Sequence, residues 1–295
     1  MSETVPQSQP LLAAAWMTGA IVSFTAMAIA GRALAGQHDT FEIMTYRSLF
    51  GIVLVLGVAG WAGTLRQITF RRLPLHGLRN LCHFIGQNLW FFAVGAGTIP
   101  LAQVFALEFT TPIWATLLAA VFLAERLTRA RLLAVALGFA GALIVAQPGG
   151  DFVLNAALIA AATAAIGFAG AAVCTRALVR TETITCVLFY LTAIQAVFGL
   201  ITAGYDGAIA LPTQTSFPWL ILVAICGLVA HFCVTKALTL APTGVVMTMD
   251  FARLPIIAIV GTLLYFEPLE WALVIGALLI FAANTINIRS ESRTR

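Results

Sequence analysis

About ten apolar stretches run almost back to back along the chain, each near the ~20 residues that cross a hydrocarbon core. They cover about 11–34, 41–62, 74–95, 100–123, 130–147, 154–176, 184–204, 216–238, 243–265 and 269–288. A chain with so little polar sequence between such stretches has to place them where water is excluded. Of its 295 residues 61% are hydrophobic and 9% charged, against about 25% charged in a soluble domain. That balance excludes a water-exposed globular surface, and it excludes disorder, which needs low hydrophobicity and high charge. The stretches are too long for strands and do not alternate strictly, so outer-membrane barrel strands are excluded as well. The sequence predicts an all-α integral membrane protein with ten transmembrane helices. The first stretch contains Ala28-Ile29-Ala30 but follows ten residues without Lys or Arg, so it reads as a helix and not as a cleaved leader.

The net charge of +4 points to orientation in a membrane and not to nucleic acid. Thirteen of the 16 basic residues fall on one side of the predicted spans: Arg66, Arg71, Arg72, Arg79, Arg126, Arg129, Arg131, Arg176, Arg180, Lys236, Arg289, Arg293 and Arg295. The opposite loops, near 36–40, 96–99, 148–153, 205–215 and 266–268, carry none. The positive-inside rule then places both termini in the cytoplasm of a multi-pass inner-membrane protein. Arg32, Arg47 and Arg253 are left in or near the spans. Lys236 and Arg32 are expected to snorkel to opposite interfaces.

The two halves of the sequence match each other. Arg32-Ala33-Leu34 corresponds to Arg176-Ala177-Leu178, and Pro100, Glu108 and Glu125 fall on Pro242, Asp250 and Glu267. Pro112 and Pro255 correspond within one residue of slip. Five spans is an odd number, so a duplicated half is inverted in the membrane. The expectation is two inverted five-helix repeats, 11–147 and 154–288, with a substrate site near the midplane between them.

Pro112-Ile113-Trp114, the stretch Leu123-Ala124-Glu125-Arg126-Leu127, Gly138 and Gly141, echoed by Leu254-Pro255 and Phe266-Glu267, resemble the EamA-type members of the drug/metabolite transporter superfamily. The resemblance spans residues 11–288 and implies a ten-helix carrier of the bacterial inner membrane working by alternating access. In the second copy no basic residue follows Phe266-Glu267-Pro268, and helix 10 has Gly276 without a second glycine in register. Resemblance to riboflavin carriers of this type, including Asp250-Phe251-Ala252-Arg253-Leu254-Pro255, implies riboflavin uptake. S-adenosylmethionine uptake and amino-acid or metabolite export stay open.

Ionisable residues inside spans are costly and mark function by default. Glu108 and Asp250 each lie eight residues past a proline that opens their span, about 12 Å along the helix and so near the midplane. Pro112 and Pro255 remove the hydrogen bonds to the carbonyls of Glu108 and Phe251. An acid beside a freed carbonyl suits a cation, a hydrogen-bonding substrate or a proton. The alternative is structural charge pairing: Arg253 with Asp250 at i, i+3, and Arg47 with Glu108 at similar depth. Asn80, His83, Gln87 and Trp90 make a polar and aromatic stripe on one face of helix 3, which either lines a pathway or bonds a neighbouring helix. His231 and Thr235 form a weaker pair. Phe24, Tyr46 and Trp114 are candidates for stacking on a ring.

Small residues four apart, Ala134, Gly138 and Ala142, then Ala272 and Gly276, permit close packing and suggest a scaffold or a homodimer face. The five cysteines sit inside apolar runs and form neither a disulfide nor a zinc pattern. With no phosphate-binding loop and one lysine, ATP-driven transport by this chain is not expected. No H-E-x-x-H or G-x-S-x-G occurs, which disfavours a membrane-embedded enzyme. The expected partners are a small-molecule substrate and the lipid bilayer, with no nucleic acid, cofactor or metal.

Overall fold

The structure, a computed structural model, describes residues 9–124, 128–146, 155–267 and 271–293. Glu125 and Arg126 of the motif quoted above, the 148–153 loop and Arg295 lie outside these residues. Among the described residues all regular structure is helical. The helices are α1 (Pro10–Leu34), α2 (Thr40–Trp61), α3 (Leu73–Ala96), α4 (Leu101–Glu108), α5 (Thr111–Leu123), α6 (Arg129–Ala146), α7 (Ala156–Leu178), α8 (Ile184–Thr202), α9 (Phe217–Leu240), α10 (Thr243–Met249), α11 (Arg253–Tyr265) and α12 (Trp271–Arg293).

Local signals in the sequence set most of the ends. Proline lies in the first turn of α1, α3, α5 and α9, where its missing N–H leaves no bond unmade. Asp39 and Glu42 form a reciprocal capping box at α2. Asn155 and Thr183 accept from the backbone at the starts of α7 and α8. Gly97, at φ 63°, ends α3 in the left-handed conformation that glycine adopts freely.

Two expected single helices are each broken. The span over 100–123 divides into α4 and α5 at Phe109–Thr110, directly after Glu108. The span over 243–265 divides into α10 and α11 at a 3-10 turn, Asp250–Ala252. Proline explains the first break: Pro112 cannot donate to the Glu108 carbonyl. That carbonyl is not left free, because the Thr111 hydroxyl donates to it at 2.5 Å. At the second break the Arg253 N–H turns back to the Asp250 and Phe251 carbonyls. Both broken spans end on a left-handed residue, Ala124 at φ 52° and Phe266 at φ 57°.

Among the described residues, seven stretches are long and apolar enough to cross a membrane: α1, α2, α7, α8, α9 and the pairs α4–α5 and α10–α11. α3 is as long, but one face carries His76, Arg79, Asn80, His83 and Gln87, all buried. Its other face presents Leu81 and Ile85, 46% and 49% exposed. Large apolar side chains such as Val53, Val121 and Leu263 also cover the outside, a surface suited to lipid and not to water.

α3 packs along α7, α1 along α9, α2 along α8 and α6 along α12. At the α3–α7 crossing the backbones touch: a Cβ on Gly167 would lie 2.7 Å from the Cys82 carbonyl oxygen and 2.9 Å from Gly86 Cα. The small-residue row on α6 also serves this chain's own packing. Ala134 is fully buried, and Gly138 leaves the space that the Phe251 ring fills.

Candidate functional site

The broken spans put both acids at helix junctions in the interior. Glu108 is the last residue of α4, Asp250 follows α10, and Arg253 opens α11. Arg253 Nη2 lies 2.5 Å from Glu108 Oε1 and 2.6 Å from Asp250 Oδ2. The second Glu108 oxygen accepts from the Trp90 indole N–H at 2.7 Å. Phe24, Phe105 and Phe109 surround the guanidinium, with ring centroids 4.9, 4.8 and 5.6 Å from its carbon. Two carboxylates share one cation, so the cluster has a formal charge of one negative unit. Asp250 Oδ1 and Arg253 Nε have no hydrogen-bond partner among the described residues.

This cluster forms one end of a cavity in the interior of the helix bundle. α1, α3, α7 and α9 wall it, contributing Phe24, Phe168, His83, Gln87, His231 and Thr235 among others. His83 and His231 meet edge to face, ring centroids 4.5 Å apart. His83 Nε2, Gln87 Nε2 and His231 Nε2 are buried without a partner among the described residues. A buried polar group left unpaired is expensive, so three such atoms and Asp250 Oδ1 around one cavity are what a hydrogen-bonding ligand would complete.

A second polar chain runs behind the His83 side. Arg79 Nε donates to Thr175 at 3.2 Å and Nη1 to Asn80 Oδ1 at 2.9 Å. Gln195 Nε2 reaches the same Asn80 oxygen at 3.3 Å and His83 Nδ1 at 2.6 Å. The Gln195 oxygen accepts from Arg47 at 3.3 Å. Gly227 makes room for Arg47, whose guanidinium covers the place a Cβ would take.

The family model for EamA-like transporters matches twice, over residues 11–147 and 155–289. The chain belongs to this family. A riboflavin transporter of Brucella anthropi is 30% identical over 85% of this chain and 89% of its own length. One from Rhizobium johnstonii is 29% identical over 99% and 96%. An S-adenosylmethionine uptake transporter of Rickettsia bellii is 25% identical over 94% of each. A solved crystal structure shares the fold, with a TM-score of 0.77 and 18% identity over 96% of this chain and 98% of the other.

Most of the residues singled out in the sequence meet at this family member's cavity: Glu108, Asp250, Arg253, His83, Gln87, Trp90, His231, Thr235 and Phe24 all line it. Others do not. Arg47 is not the partner of Glu108; it bonds Gln195 and the Met44 sulfur, and Arg253 takes its place. Similar depth on two helices did not reveal which faces meet. Asn80 is buried behind the wall, bonded to Arg79 and Gln195. Tyr46 donates to the Ala210 carbonyl away from the cavity, and Trp114 is 39% exposed. Arg32 does not snorkel: it forms an ion pair with Glu267 at 2.7 Å and lies 4.6 Å over the Tyr265 ring. Sequence reasoning missed Arg79 and Gln195. Arg79 sits in α3, four residues before His83, and is 2% exposed. Extending the helix 3 stripe by one turn is the signal that finds it.

Proposed function

We propose that this chain is a secondary transporter that takes up riboflavin across the bacterial inner membrane by alternating access. The observation that carries this reading is the cavity itself: aromatic walls and a few polar atoms without partners, which suit an uncharged ring system bearing hydrogen-bonding groups. Relatives named riboflavin transporters support the choice of substrate. The substrate-binding set is Glu108, Asp250, His83, Gln87, Trp90 and His231, with Arg253 holding the two acids and Asn80 and Arg47 supporting the wall from behind.

The architecture we infer is two inverted five-span repeats, 11–147 and 154–288, with α3, α6 and α12 completing ten spans and both termini cytoplasmic. The paired left-handed residues Ala124 and Phe266 support it, as do the long α1–α9 and α3–α7 contacts, which such a repeat interchanges. Alternating access gains support from unequal contacts. α4 and α5 lie closely along α7, whereas α10 and α11 touch α1 only lightly. In an inverted repeat these two interfaces are equivalent and exchange when the carrier turns over.

Uptake of labelled riboflavin into bacteria lacking their own flavin carrier tests the reading. Accumulation several-fold above empty-vector cells is expected; background accumulation at normal membrane abundance rejects it. Reporter fusions should place both termini inside and the 205–215 loop outside. S-adenosylmethionine is the second reading, favoured by the negative charge of the Glu108, Asp250 and Arg253 cluster, and it belongs in the same uptake panel.

A further inference from the structure

Arg79 is a buried guanidinium on the cavity wall with no carboxylate partner among the described residues. Its two hydrogen bonds, to the Thr175 hydroxyl and the Asn80 oxygen, use two of its five donors. Behind it lies a second buried guanidinium, Arg47, bonded among the described residues to the Gln195 oxygen and the Met44 sulfur. The link between them is neutral, so nothing along it cancels either charge.

The same chain fixes the proton on His83. Gln195 Nε2 is a donor, so His83 Nδ1, 2.6 Å away, accepts from it. A neutral imidazole that accepts at Nδ1 carries its hydrogen on Nε2. That Nε2–H has no partner. One turn on, the Gln87 amide nitrogen is also a donor without a partner. Arg79, His83 and Gln87 are spaced i, i+4, i+8, a single row on one face of α3, and the row is about 12 Å long. Trp90, which holds Glu108, lies eleven residues after Arg79, or about 16 Å along the helix. The cavity therefore has a donor-rich, positive end and an acid end, where Asp250 Oδ1 is an acceptor without a partner.

We propose that the α3 row of Arg79, His83 and Gln87 is the edge that reads carbonyl or carboxylate oxygens of the substrate, with Arg79 setting specificity against cations. The substrate class is an acceptor-rich heterocycle, neutral or anionic, whose N–H or O–H is received by Asp250. The proposal rests on the transport reading above and narrows its substrate.

Two measurements on the purified full-length chain test it. The first needs no substrate. A single cysteine replaces Thr235, which lines the cavity, in a background without the five native cysteines. Its rates of reaction with an anionic sulfonatoethyl and a cationic trimethylammonium-ethyl methanethiosulfonate are compared. Their ratio reports the local potential, because any change in thiol reactivity cancels. With Arg79 present the anionic reagent is favoured; Arg79→Gln lowers the ratio about tenfold and Arg79→Lys largely restores it. An unchanged ratio, or no reaction at all, overturns the proposal. The second measurement is riboflavin binding. Arg79→Gln should weaken it about tenfold or more, with Arg79→Lys intermediate, because a charge-assisted bond to a carbonyl is lost. Wild-type binding that survives Arg79→Gln overturns the proposal and leaves riboflavin transport standing. A wild type that shows the charge-dependent ratio but does not bind riboflavin supports the proposed class and rejects riboflavin.

Discussion

Arg253 reaches Glu108 across 145 positions of sequence, Nη2 to Oε1 at 2.5 Å, while also holding Asp250 three residues before it. One cation thus ties the two helix breaks together and leaves an acid oxygen free toward the cavity.

That sharing separates the two members of the ion pair by experiment. Glu108→Gln should lower transport about tenfold or more while membrane abundance stays near normal, because Asp250 still balances Arg253 and an amide can keep the Trp90 bond. Arg253→Gln should lower abundance as well, since it leaves the buried Glu108 and the partly buried Asp250 without their cation, and breaking a buried pair costs about 3–5 kcal/mol. Uptake normalised to quantified membrane protein distinguishes the cases. Normal uptake by well-expressed Glu108→Gln removes Glu108 from the pathway.

α3 gives a pattern of accessibility. Single cysteines at His83 and Gln87 should react with a water-soluble thiol reagent and be protected by riboflavin. Leu81 and Ile85 lie on the exposed apolar face, which lipid covers in this reading, so cysteines there should be inert. Asn80 sits behind the wall and should react more slowly than Gln87. Equal labelling at all five positions would contradict the placement of this helix.

The helices and most cavity residues were legible because membrane burial makes each polar residue conspicuous. His83, Gln87, Trp90, Glu108 and Asp250 stand out against apolar neighbours, and prolines mark the junctions at both acids. Partner choice was not legible. Arg253 was expected to meet Asp250 within one turn, but its reach to Glu108 depends on how α4 and α11 cross. Arg79 read as a loop charge because it lies among Arg71 and Arg72 in sequence, while α3 already begins at Leu73. Gln195 carried no periodic signal; only the contact between α8 and α3 gives it a role.

Gly167 tests the scaffold apart from the site. A methyl there meets the Cys82 carbonyl and Gly86 backbone, which cannot swing aside as a side chain does. Gly167→Ala should destabilise the protein by about 1–3 kcal/mol, read as a lower thermal midpoint in detergent. Gly57→Ala, with nothing within 4 Å of the new atom, is the matched control and should leave the midpoint in place.

A polar clasp closes the end of the molecule where α1, α4 and α11 meet. Arg32 pairs with Glu267 at 2.7 Å and also approaches the Val94 and Ile99 carbonyls. Glu267 in turn accepts from the Leu101 N–H at the start of α4. The clasp therefore joins the first and second halves of the chain across the entrance to α4. Its ion pair is only partly buried, at 15% and 17% side-chain exposure, so breaking it avoids the penalty of a fully buried charge. If the clasp closes this end during turnover, Arg32→Gln should favour the state open there and raise the labelling of a cysteine placed at Leu101 several-fold, by analogy with a two-state shift of about 1 kcal/mol. Abundance should be nearly unchanged. The exchange Arg32→Glu with Glu267→Arg should restore part of the protection, although the Leu101 N–H then loses its acceptor. Unaltered labelling in Arg32→Gln at normal abundance would show that the pair holds the loop and does not gate the carrier.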